Sequence, residues 1–411
     1  MGILFIGIVM KGDCMKKVIF GLLIAVLVLV GMMVPFAPEV MAGDEEYVVT
    51  VFLPEDWSDQ GWGTAHKNGF DELKSLGNVI DEWDLGYVIE LDNPYYDTLR
   101  VNFITHCGYG GQIESMMRSA IAAQQPDMTF AAWFDAYQAV EALALEFPDV
   151  IFNHCSSYPL MKSSDFSTEN VGTYFIKNCL ADYVVGVVAG TAGYDKVGFV
   201  ATHPIPEPIR AVNAFTLGLQ AGFGDVVEVN VLWINSWLDR ELEYQAAQTL
   251  IDAGYDIIRQ LPDTPTTSMV ACENGGVALG YGLSTLPFAP CTLVTNEWRW
   301  GKYYTACVLD GLNGDWEPHD WFEAGSNLVF NPDTPQELID AAAKVDTDDT
   351  WAGPISGFGW DVDGNEYRVF VPEGETLTDM DILTMSWFVD GVVTAAQPPT
   401  PVDSMSRFIV E

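Results

Sequence analysis

Short apolar runs alternate with helical stretches from residue 47 onward, and that alternation limits the chain to few folds. Tyr47–Leu53 is a β-branched apolar run closed by Pro54. Met128–Ala131, Val150–Phe152, Lys196–Ala201, Val226–Trp233 and Asp256–Ile258 read as further strands. Between them, apolar residues on a helical period predict helices over His66–Leu76, Gln112–Ala123, Ala136–Glu146, Ala181–Gly190, Pro208–Ala221 and Arg240–Ala253. Continuous apolar strands are buried on both faces, as when crossover helices cover a parallel sheet. The alternation outlasts what one sheet usually holds, so two similar α/β lobes are expected. Further on, Asp361–Glu366 reads as an acidic turn between Phe358–Trp360 and Tyr367–Val371, which predicts a β-hairpin. Residues 396–411, with Gln397-Pro-Pro-Thr-Pro401, read as a loose extension.

The amino terminus has the form of a targeting segment. Met15-Lys16-Lys17 precedes an apolar run from Val18 to Val34, and Val40-Met41-Ala42 fits cleavage before Gly43. Residues 1–42 are therefore expected to be a signal peptide. No cysteine follows the apolar run closely, so the mature protein is expected free in the periplasmic or other extracytoplasmic space, without a lipid anchor. Cys107, Cys155, Cys179, Cys272, Cys291 and Cys307 remain, an even number that permits disulfides in an exported chain without specifying a pairing. The histidines show no ligand-type spacing to one another or to cysteine, so no metal is expected.

Asp plus Glu number 58 against 18 Lys plus Arg, a formal charge of −40. Such a surface repels phosphate backbones and anionic lipid, which argues against nucleic-acid partners and basic-patch membrane docking. Catalytic signatures (a GxSxG elbow, a P-loop, GxGxxG after a strand, HExxH) do not occur, so neither an enzyme nor a cofactor is expected. His154 and Cys155 are adjacent, but neighbours on a strand point to opposite faces, which reads as a buried thiol and not a nucleophile with its base.

Aromatic and acidic residues recur in loops that follow strands. Asp59 and Trp62 sit in Trp57-Ser-Asp-Gln-Gly-Trp-Gly63 after the first strand. Trp133 and Phe134 follow Ala131, Trp237 follows Trp233, Asp263 follows Ile258, Tyr281 follows Gly280, and Trp298 lies in Asn296-Glu-Trp-Arg-Trp300. Open parallel sheets bind ligands beyond the carboxyl ends of their strands. Rings placed there from two lobes would stack on a flat ligand, with Asp59 and Asp263 accepting from its N–H groups.

Several longer segments resemble the basic membrane protein family, substrate-binding components of ABC importers for purine nucleosides or bases. They are Phe147-Pro-Asp-Val-Ile-Phe-Asn-His-Cys-Ser-Ser-Tyr158, Asn170–Phe175, Pro204-Ile-Pro-Glu-Pro-Ile-Arg-Ala-Val-Asn-Ala-Phe-Thr-Leu-Gly218, Phe288-Ala-Pro290, Ala352-Gly-Pro354 and Met385–Val393. The resemblance runs from about residue 47 to 395 and is greatest to the branch that takes adenine-like bases. It implies a type I periplasmic-binding-protein fold, two Rossmann-like lobes with parallel sheets joined by three crossover strands. The implied division puts 43–174 and about 291–316 in the N-terminal lobe, and 175–290 and about 317–395 in the C-terminal lobe. It further implies that Trp62 and Trp237 flank the purine, that Asp59 and Asp263 are the family's cleft carboxylates, and that Trp133 and Phe134 are its aromatic pair. A monomer working with a membrane permease and ATPase is expected. The sequence departs from the family at Gly280-Tyr-Gly-Leu-Ser-Thr285, Leu261, Gly63-Thr64 and Arg299, where polar cleft residues are usual. Two other readings remain: an exported nucleoside hydrolase using Asp59 and Asp263 as a carboxylate pair, and a ligand sensor for a membrane regulator.

Overall fold

A computed structural model of the chain describes residues 45–108, 110–156, 168–323, 325–398 and 406–410; the signal segment lies outside them. Along the chain the strands are β1 (Glu46–Phe52), β2 (Gly77–Trp83), β3 (Gly86–Leu91), β4 (Thr98–Ile104), β5 (Met128–Ala131), β6 (Ile151–Cys155), β7 (Val171–Ile176), β8 (Lys196–Ala201), β9 (Glu228–Trp233), β10 (Ile257–Gln260), β11 (Val277–Gly282), β12 (Thr292–Trp298), β13 (Asp320–Glu323), β14 (Ser326–Phe330), β15 (Ile355–Trp360), β16 (Glu366–Val371), β17 (Phe388–Val389), β18 (Val392–Thr394) and β19 (Ile409–Val410). The helices are α1 (Trp62–Asp71), α2 (Ile113–Gln124), α3 (Tyr137–Glu146), α4 (Asn178–Thr191), α5 (Pro206–Phe223), α6 (Arg240–Asp252), α7 (Thr266–Glu273), α8 (Trp300–Asn313), α9 (Gln336–Ala343) and α10 (Asp379–Leu383).

Two sheets carry the fold. The first has the order β13-β7-β6-β5-β1-β4-β3-β2, and the second β14-β12-β11-β10-β8-β9-β18. From β13 to β4 the first sheet is parallel, and the second is parallel except for β14 against β12. Val49, Val51, Val197, Phe199, Ile257 and Leu279 are sealed from solvent, as continuous apolar strands between helical layers require. This is the type I periplasmic-binding-protein fold. The β2–β3–β4 meander is an antiparallel addition that the alternating pattern did not anticipate. All of β2 is exposed, so no burial period marks it.

Two glycines set how closely α4 and α5 pack. A Cβ on Gly186 would lie 2.1 Å from the Phe215 carbonyl, and one on Gly218 would lie 1.9 Å from that of Tyr183. Glycine lets α4 and α5 touch backbone to backbone. The expected hairpin is β15–β16, part of a third, antiparallel sheet with β17 and β19. The carboxyl end needs correcting: residues 406–410 are not loose, since Phe408 is buried and β19 pairs with β16. Cys272 and Cys291 form a disulfide between the end of α7 and the start of β12, with Cα atoms 5.4 Å apart.

The chain passes between the two sheets after β7, after β12 and after β13. One buried polar group ties these passages together. Asn296 donates to the Asn178 side-chain carbonyl (3.2 Å) and to Asp182 (3.0 Å), and the Ser326 hydroxyl also donates to Asn178. Arg259, fully buried, donates to Asp182 (2.5 Å), to Asn296 (2.7 Å) and to the carbonyl of Gly280. Burial pushes Asp182 up to about 6 even against the Arg259 charge.

Candidate functional site

The loops that follow β1 and β10, at the carboxyl ends of the two sheets, meet at Gly61 and Asp263. Asp59 organises the first of these loops. Its carboxylate accepts from the backbone N–H groups of Gly61 (3.0 Å), Gly63 and Thr64 (3.1 Å) and from the Thr64 hydroxyl (2.9 Å). These are the donors that the first turn of α1 leaves without helical partners, so an anion there is favoured twice, by hydrogen bonding and by the dipole. Gly61 presses against the other lobe. A Cβ on it would stand 1.6 Å from the Asp263 carbonyl oxygen. The Asp263 N–H in turn donates to the Trp237 carbonyl (3.0 Å).

Trp62 follows Gly61 and starts α1. Its indole N–H donates to the Ala132 carbonyl (2.7 Å), which fixes the ring. The ring meets Trp298 edge-on at 5.1 Å, Trp300 at 5.4 Å and His66 at 4.4 Å, and lies nearly parallel to Phe175 at 6.4 Å. Tyr281 meets Trp298 edge-on from the far side at 5.0 Å. Gly282, at φ +79°, lets the chain turn under the Trp298 indole, where a Cβ would lie 2.6 Å from the ring. Edge-to-face packing of this kind holds each ring in one orientation.

Charged groups line the C-terminal side. Glu207, in the first turn of α5, accepts from the Tyr281 hydroxyl (3.2 Å). Burial raises its pKa above the usual carboxylate value, with Arg210 pulling the other way. Asp263 keeps partial exposure but is crowded; burial, then the charges of Asp59, Glu243 and Glu207, pushes it well above its ordinary value. Arg210 lies one turn after Glu207, its guanidinium 5.3 Å above the Phe175 ring. Trp237 packs its ring against His203 at 5.0 Å, and burial lowers His203 from its usual range. A flat ligand entering here meets rings on both lips and acidic acceptors between them.

The family model for ABC transporter substrate-binding proteins of the PnrA-like type matches residues 47–271. The chain belongs to this family. A purine-binding protein of Brucella abortus is 30% identical over 74% of this chain and 85% of its own length. A protein of Haloferax volcanii described as a putative ABC transporter glucose-binding protein is 28% identical over 55% of this chain and 59% of its own. Among solved structures, an ABC transporter solute-binding protein of Conexibacter woesei covers 72% of this chain and 95% of that one, with a TM-score of 0.56 at 18% identity, which speaks for the fold. As a family member, the chain is a substrate-binding protein that serves an ABC transporter outside the cytoplasmic membrane.

The structure groups Trp62, Trp298 and Tyr281 in one continuous aromatic column, and brings Asp263 and Trp237 to the same lobe contact as Gly61. Asp59 differs from the sequence expectation, because both of its oxygens are used within its own loop. Trp133 is 4% exposed and belongs with Phe52, Cys107 and Phe152 to a first-lobe core cluster. Phe134 is half-buried against Tyr137 at 5.7 Å. Sequence reasoning passed over Phe175, Glu207 and Arg210. A signal for the last two was present, two charges in the Pro-punctuated first turns of a helix that is otherwise largely apolar.

Proposed function

We propose that this family member captures a purine, as base or nucleoside, between Trp62 and Trp237, and passes it unchanged to a membrane permease and ATPase. The observation that carries the reading is the Gly61–Asp263 contact. Trp62 is the next residue after Gly61, and the Trp237 carbonyl accepts from the Asp263 N–H, so the backbones of both tryptophans flank the same interlobe contact, which supports the reading. Trp298 and Tyr281 back Trp62, and the Asp263 carboxyl supplies an acceptor for ring or amino N–H groups. Phe134, half-buried against Tyr137, and Trp133, in the core beneath the same loop, are assigned to the first-lobe side of the ligand. The purine-binding relative supports the ligand class, and the sequence resemblance favours an adenine-like base. The protein acts as a monomer, exported with removal of residues 1–42. Asp59 serves as the cap that holds the Trp62 loop, so the Asp59–Asp263 carboxylate pair of the hydrolase reading lacks one free member.

The test is tryptophan fluorescence with purine titration. Binding should quench emission. Stacking on one ring is worth roughly 1–3 kcal/mol, so Trp62→Ala and Trp237→Ala should each weaken binding about 5- to 150-fold, and the Phe replacements should restore much of it. Wild-type affinity in both alanine variants would sink the clamp. Release of free base from adenosine, abolished by Asp263→Ala, would instead establish a hydrolase.

A further inference from the structure

We propose that Arg210 reads a ring carbonyl of the bound purine while Glu207 accepts the hydrogen of the adjacent ring N–H, so that the cleft selects 6-oxopurines. The proposal rests on the purine reading above and departs from its adenine leaning. Arg210 is 5% exposed, yet among the described residues its guanidinium makes no hydrogen bond or ion pair. None of its nitrogens is among the sealed polar atoms, so they border open space. The other buried guanidinium behaves differently. Arg259 spends its donors on Asp182, Asn296 and the Gly280 carbonyl. A buried guanidinium carries five N–H donors, and leaving them without acceptors is costly. Arg210 hangs over Phe175, which lies nearly parallel to Trp62, so its free donors flank the aromatic column.

Glu207 completes the pattern. One carboxylate oxygen takes the Tyr281 hydroxyl, and the other has no hydrogen-bond partner among the described residues. A donor and an acceptor one helical turn apart match the –NH–C(=O)– edge of an oxopurine. The carbonyl oxygen accepts two hydrogen bonds in the ring plane, which suits the fork of a guanidinium. Adenine places an amino donor at the same carbon, facing Arg210 donor to donor, and offers only single-lone-pair ring nitrogens.

Calorimetry on the mature chain with hypoxanthine, adenine and unsubstituted purine tests this. A hydrogen bond to a charged group implies that hypoxanthine binds roughly 10- to 150-fold tighter than the other two. Arg210→Met should weaken hypoxanthine most and so narrow its preference over adenine and purine by a similar factor. Adenine binding as tightly as hypoxanthine in the wild type, or Arg210→Met weakening all three ligands alike, would overturn the proposal. If Arg210→Met does not fold, the wild-type comparison with unsubstituted purine decides alone, since that ligand lacks the C6 oxygen and the N1–H that the two residues would read. Failure of all three to bind would instead refute the purine clamp, and this inference with it.

Discussion

Adding one methyl group at Gly61 should separate lobe closure from lobe stability. In Gly61→Ala the new Cβ would stand 1.6 Å from the Asp263 oxygen, 2.5 Å from its carbonyl carbon and 2.9 Å from its Cα. Ordinary contact begins near 3.4 Å, so the lips must part by roughly 2 Å. Neither side yields easily. The Asp263 N–H is held by the Trp237 carbonyl, and the Gly61 N–H is held by Asp59. Overpacking of this kind costs about 1–3 kcal/mol, which corresponds to about a 5- to 150-fold loss of affinity when it falls on the closed state alone. Opening the cleft relieves the clash, so the unliganded melting temperature should hold. Calorimetry for affinity and scanning calorimetry without ligand are the assays. Unchanged affinity would mean that Gly61 and Asp263 are apart when ligand is bound, and the closed-cleft argument would fail.

Three further outcomes follow from buried groups. Glu243 is sealed beside Thr264, and burial pushes it up to about 8. The folded chain then keeps a proton that the unfolded chain releases near pH 4.5, so stability should fall as pH rises from about 4.5 to 8, by up to about 1.4 kcal/mol per unit. Denaturant titrations of Glu243→Gln should lack that slope; an unaltered slope would assign it elsewhere. Asp182→Asn should destabilise by about 3–5 kcal/mol because Arg259 stays charged and buried, and adding Arg259→Met should return part of it; a neutral single variant would contradict the pairing. Replacing both Cys272 and Cys291 by serine opens a loop of sequence separation 19, and should cost about 3 kcal/mol in urea unfolding; no change would deny the disulfide.

Much of the scaffold was legible because its strands are continuous apolar runs with sharp stops. Lys196–Ala201 and Met128–Ala131 coincide with β8 and β5, and Pro54 ends the first run just beyond β1. The β2–β3 meander was not legible, since every residue of β2 faces solvent and an edge strand needs no apolar period. The aromatic candidates stood out in the sequence because each lies at or just past the carboxyl end of a strand: Trp62 opens α1, and Tyr281 and Trp298 stand in the last two residues of β11 and β12. Phe175 was hidden inside an apolar strand, indistinguishable from core. Asp59 looked like a ligand carboxylate because helix capping and ligand binding ask for the same residue at the same loop. Arg210 could not be placed from its helix, since a charge in sequence does not reveal that its neighbours leave it without an acceptor.

The central claim is that the cleft holds a flat purine between Trp62 and Trp237. Calorimetric titration of the mature protein with purine bases, nucleosides and D-glucose tests it most directly, because one relative is described as purine-binding and another as a putative glucose-binding protein. The account predicts saturable one-to-one heat with a purine, quenching of tryptophan emission at the same midpoint, and none with glucose. Saturable heat with glucose and none with any purine would contradict it.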